Sequence, residues 1–64
     1  MELTQERVEY MDINMLLSIV NLKLRDEFDS LETMCDRYDI SQNTLVARLS
    51  EADYTYIAEQ NQFK

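Results

Sequence analysis

The sequence predicts a mainly α-helical domain: three helices arranged like a helix-turn-helix unit, followed by a short C-terminal β-hairpin. Three observations carry this expectation. Apolar residues recur at helical spacing from Ile13 to Phe28, good capping residues precede the apolar stripes, and the last twelve residues switch to a two-residue period rich in aromatics. There is no glycine and no proline, so Asn and Asp must supply the turns, being the remaining residues that best tolerate a left-handed backbone. No linker, repeat or low-complexity tract divides the chain, and residues 1–64 read as one domain.

Residues 1–11 allow two readings. Thr4 could cap a short helix carrying Val8 and Met11, or the segment could be a docked arm. From Asp12, a good N-cap, Ile13, Leu17, Val20, Leu24 and Phe28 fall on one face of a helix over about 13–27. Asp29 and Glu32 resemble a capping box ahead of a second helix over about 30–38, whose inward residues are Leu31, Met34, Cys35 and Tyr38. Ser41 is placed to cap a third helix, ending near Ala52, with Leu45, Leu49 and Ala52 as its stripe. These three helices make a core over 12–52. In the tail, Tyr54 and Tyr56 alternate with Thr55 as in a strand, and Asn61 to Phe63 would return as its partner. Ala58, Glu59 and Gln60 between them are poor turn formers.

The stretch from Leu31 to Ser50, LETMCDRYDISQNTLVARLS, resembles a helix-turn-helix unit, and each match has a steric reason. Cys35 is small where the helices cross, Asp39 stands where glycine commonly turns left-handed, Ile40 plugs the corner, and Leu45 with Leu49 packs the second helix back. A recognition helix here would present Gln42, Asn43, Val46 and Ala47, flanked by Ser41 and Ser50. Gln42 and Asn43 could pair with adenine edges in a major groove, but they also suit the polar first turn of any capped helix. Charge weighs against DNA. From Ser30 to Asp53 five acids (Glu32, Asp36, Asp39, Glu51, Asp53) face two bases (Arg37, Arg48), a balance of −3, whereas duplex binding normally neutralises roughly 6–10 phosphates.

Six basic residues against thirteen acidic ones give the whole chain a charge of −7, which repels nucleic acid and anionic membranes. The longest apolar run, Met15 to Val20, is interrupted by Ser18 and falls far short of the ~20 residues of a membrane span. Cys35 is the only cysteine and histidine is absent, so neither an internal disulfide nor a histidine-bearing zinc site can brace the fold. The lone cysteine, and a start (MELTQERVEY) without the basic and apolar regions of a signal peptide, make the cytoplasm the expected compartment. No catalytic, cofactor-binding or metal-ligating set stands out. There is no phosphate loop or nucleophile motif, and Asp26, Glu27 and Asp29 lack calcium-loop spacing. The chain is therefore expected not to be an enzyme and to need no cofactor.

Met15, Ile19 and Leu22 fall on the side of the 13–27 helix opposite its core stripe. A helix apolar on two sides is either central to its own fold or covered by something else. Two covers are open: the N-terminal arm or the hairpin of the same chain, or a second copy meeting it through Met15, Ile19 and Leu22.

The runs MLLSIVNLKLRD (Met15 to Asp26), SLETMCDRYDIS and the closing EQNQF resemble a family of short bacterial proteins of unknown function that share this helix and this ending. The resemblance covers about Asp12 to Phe63. It implies a compact bacterial cytoplasmic domain and brings no activity or ligand. The chain departs from the family pattern in having Asp53 where a glycine commonly precedes the tyrosine, and no proline ahead of the 13–27 helix. The expected function is a non-enzymatic protein-interaction module with an unidentified protein partner, with a small DNA-binding transcriptional regulator as the alternative.

Overall fold

A computed structural model describes residues 2–64. It contains α1 (Gln5–Tyr10), α2 (Ile13–Asp26), α3 (Leu31–Tyr38) and α4 (Gln42–Ser50), then β1 (Tyr56–Ile57) and β2 (Gln62–Phe63). The predicted three-helix core and hairpin are present, and within the N-terminal segment Gln5–Tyr10 form a fourth, short helix. Every helix start has a side-chain cap. Thr4 Oγ1 accepts from the Arg7 amide, Asp12 from the Asn14 and Met15 amides, and Ser41 from the Thr44 amide. At α3 the cap is Ser30, not the expected Asp29. The Ser30 backbone is extended and its hydroxyl oxygen accepts from the Thr33 amide at 3.1 Å, while Glu32 is exposed.

The missing glycines are replaced at two helix ends by aspartate. Asp39 has φ 55° and Asp53 φ 66°, and each is followed by the same closure. Ile40 N–H donates to the Cys35 carbonyl and Asp39 N–H to that of Asp36; Tyr54 N–H donates to the Leu49 carbonyl and Asp53 N–H to that of Ser50. Both are Schellman motifs, which satisfy carbonyls a helix end would leave orphaned. The second closes α4 at Ser50, short of the expected Ala52.

The core gathers Leu3 and Val8 from the N-terminal segment, Leu16, Val20 and Leu24 from α2, Leu31, Met34 and Cys35 from α3, Ile40, Leu45 and Leu49 from the turn and α4, and Phe63 from the tail. The inward stripe of α2 is therefore turned from the expected one. Leu16 and Lys23 are buried, whereas Ile13, Leu17 and Phe28 are only partly so. Periodicity could not fix this phase, because α2 is apolar nearly all round, and its neighbours α3, α4 and β2 decide which side is enclosed. Tyr38 is half-buried and meets the edge of Phe28, ring centroids 5.7 Å apart.

The hairpin pairs Tyr56 with Phe63 and Ile57 with Gln62, antiparallel. Its four-residue loop works without turn-forming residues at 58–60. The Gln60 and Asn61 amides donate to the Ile57 and Ala58 carbonyls, and only Asn61, at φ 52°, takes the left-handed position.

Candidate functional site

Two carboxamides hold the hairpin against α2. Asn21 Nδ2 donates to the Phe63 carbonyl at 3.1 Å, and its Oδ1 accepts from the Phe63 amide at 2.8 Å. The side chain thus pairs with the outer edge of β2 as a further strand would. Asn61 Nδ2 donates to the Leu24 and Phe28 carbonyls, both at 2.9 Å, closing the C-terminal end of α2, and its Oδ1 accepts from the Tyr56 hydroxyl at 2.6 Å. That hydroxyl also accepts from the Leu31 amide at the start of α3, at 3.3 Å. The helix motif around Asn21 and the EQNQF ending are therefore one interlocked structure. Sequence reasoning missed this role of Asn21, although two asparagines inside otherwise apolar or closing motifs were the available signal.

Docking of the hairpin leaves a groove of about 730 Å³ beside it, lined by Leu17, Ser18, Asn21, Leu22, Leu24 and Arg25 of α2 and by residues 60–62 of the loop. Of the predicted self-association residues, Met15 is 53% and Leu22 49% exposed, while Ile19 is partly buried and packed against the core. α1 packs on α4 and the hairpin on the Asn21 side of α2, so neither covers Met15 or Leu22. Arg25 pairs with its neighbour Asp26 at 3.0 and 3.2 Å, and the guanidinium holds the Asp26 carboxyl below the usual carboxylate range.

The four predicted recognition-face residues, Gln42, Asn43, Val46 and Ala47, are all exposed. The one cation of α4 is turned away from them. Arg48 Nε donates to the Val8 carbonyl at 3.0 Å, and another guanidinium nitrogen donates to the Met11 carbonyl. Arg48 thus closes the C-terminal end of α1, while Gln5 Oε1 accepts from the Ser41 amide at 2.8 Å. The two groups together strap α1 along α4.

Among the described residues, two titratable side chains, Lys23 and Cys35, are buried. Lys23 is buried, its Nζ donating to the Tyr38 hydroxyl at 2.9 Å and lying 3.6 Å from Glu27 Oε2. At 5.0 Å from the ring centroid, the ammonium sits toward the hydroxyl rim, so this is a hydrogen bond rather than a cation–π contact. The Tyr38 bond keeps the Lys23 ammonium above its ordinary pKa against the opposing effect of burial, and a lysine protonated at neutral pH is neither base nor nucleophile. Burial, reinforced by Asp36, pushes the Cys35 thiol up to about 11, which leaves little reactive thiolate. Among the described residues, no group of three or more His, Cys, Asp or Glu side chains is placed to hold a metal ion, and no helix is long and apolar enough to cross a membrane.

Comparison with curated proteins and with solved structures found no match. A family model described as Domain of unknown function (DUF4250) matches residues 10–63. That span takes in α2, α3, α4 and the hairpin with both interlocked motifs, and the chain belongs to this family.

Proposed function

We propose that the chain is a small non-enzymatic protein-interaction module of the bacterial cytoplasm, docking through the outer face of α2 and the groove beside the hairpin. One observation carries the reading: Met15 and Leu22 stand half exposed on a helix whose other side is the core, and among the described residues no segment covers their exposed halves. Burying the exposed half of each would be worth about 1 kcal/mol, a sizeable sum beside the ~3–5 kcal/mol net stability of a domain this small. The buried, protonated Lys23 and the high-pKa Cys35 support a non-catalytic role. A DNA-binding regulator has weaker support, because Arg48 is spent on α1 and the helix-turn-helix-like unit carries a charge of −3.

The test is site-specific photo-cross-linking in living cells, with a photoreactive residue at Leu22 and a control at the exposed Asp36 of α3. The reading expects polypeptide adducts from position 22 and none from position 36. Absence of adducts at 22 would overturn it.

A further inference from the structure

We propose that an extended, basic peptide segment adds to the outer edge of β1 as a further strand, held by the backbone of Tyr56. This edge lies on the side of the hairpin away from α2, so the proposal goes beyond the docking reading above and does not rest on it.

The two edges of the hairpin differ. Thr55 and Lys64 exchange two backbone hydrogen bonds, both at 2.9 Å. The next pair, Tyr56 and Phe63, is therefore the non-hydrogen-bonded one, and its amides and carbonyls point outward from both strands. On the β2 side the Asn21 carboxamide takes both Phe63 groups. On the β1 side, among the described residues, nothing bonds to the Tyr56 amide or carbonyl. A carboxamide thus already closes one edge of this hairpin, and a peptide backbone offers the same donor and acceptor to the other. Strand addition of this kind draws its affinity from main-chain hydrogen bonds. Thr55, Tyr56 and Ile57 suit a strand, and neither lysine nor proline guards positions 54–57.

Charge selects the occupant. From residue 49 to residue 63 there are three acids, Glu51, Asp53 and Glu59, and no base, and all three acids are exposed. Glu51 is answered by Arg48 at 3.6 Å. Asp53 and Glu59, one before β1 and one after it, form no ion pair among the described residues. The nearest cation beyond them, Lys64, stands across Thr55 on the opposite strand. A basic strand laid along β1 meets an unpaired carboxylate at either end, whereas an acidic strand, or a second copy of this −7 chain, is repelled there. Because β1 has only two residues, the ladder is short and binding should be weak, with a dissociation constant on the order of 100 µM.

The test uses the full chain, isotope-labelled for NMR, and an end-capped peptide of alternating lysine and valine. At about 2 mM peptide the Tyr56 amide resonance should move more than that of Phe63, and its hydrogen exchange should slow about tenfold. The same peptide N-methylated at every residue, and one of alternating glutamate and valine, should each bind at least ~tenfold more weakly. Asp53→Asn with Glu59→Gln, which keeps a residue that tolerates the left-handed turn, should weaken binding of the basic peptide about fivefold at low salt. The peptide controls need no substitution in the protein. An unmoved Tyr56 amide, or equal binding of the N-methylated peptide, overturns the proposal. Equal binding of the glutamate peptide overturns the choice of a basic occupant. Protection of the Tyr56 amide that rises with protein concentration in the absence of peptide makes the occupant a second copy and likewise overturns it.

Discussion

The Asn21 carboxamide exchanges two hydrogen bonds with the backbone of Phe63, 42 residues away, at 3.1 and 2.8 Å. Asn21→Ala leaves a part-buried amide and carbonyl without partners and should lower stability by about 1–3 kcal/mol. Asn21→Asp keeps the acceptor but sets a carboxylate against the Phe63 carbonyl, so it should recover little. Urea midpoints of the two variants decide this, and an unchanged midpoint for the alanine variant would show that β2 holds without the bridge.

Glycine substitution should distinguish two of the left-handed residues, Asp53 and Asn61. At Asp53 no side-chain hydrogen bond is lost, and relief of an αL penalty of about 1–2 kcal/mol is offset in part by glycine's larger unfolded-state entropy, so Asp53→Gly should stabilise by about 0.5–1 kcal/mol. Asn61→Gly gains the same relief but loses three hydrogen bonds and should destabilise by about 2–3 kcal/mol. Thermal melting of both variants reads the opposite signs.

Alkaline pH should unfold the domain through Cys35. Its pKa is about 9.0 when exposed and about 11 in the fold, so the unfolded chain loses its proton first and stability falls as pH rises from about 9 to 11, by about 2 kcal/mol. Lys23, raised above 10.5, contributes stability that is complete below that value and is lost above it. Cys35→Ala should have a lower plateau at neutral pH and begin its decline later, near 10.5. Denaturation at stepped pH checks the onset.

Arg48→Met should free α1 by orphaning the Val8 and Met11 carbonyls, destabilising by about 1–3 kcal/mol. Arg48→Lys, without the planar fork, should restore only part. The specific sign is faster amide hydrogen exchange in α1 than in α3, and uniform acceleration across all helices would contradict the strap.

The isolated chain should show no measurable affinity for duplex DNA near physiological salt. Micromolar binding that weakens steeply with added salt would reverse the choice between docking module and regulator.

Helices α2, α3 and α4, and the caps of α2 and α4, were legible in the sequence because they are local. Asp12 and Ser41 each satisfy amides two or three residues away, and Asp39 turns left-handed within its own helix end. Such contacts depend on spacing alone, so a linear reading finds them. The short helix over 5–10 stayed one of two readings, because six residues do not hold a helix unaided; it stands because Leu3 and Val8 enter the core and Arg48 meets its C-terminal end. Tertiary structure decided the rest. It chose Leu16 over Ile13 and Leu17 as the inward residue of α2, because a helix apolar nearly all round has no phase until its neighbours pack. It placed Asn61 against Leu24 and Phe28, and Asn21 against Phe63, because a carboxamide's partners are fixed by chain crossings dozens of residues apart. The groove beside Leu22 likewise exists only once the hairpin has docked.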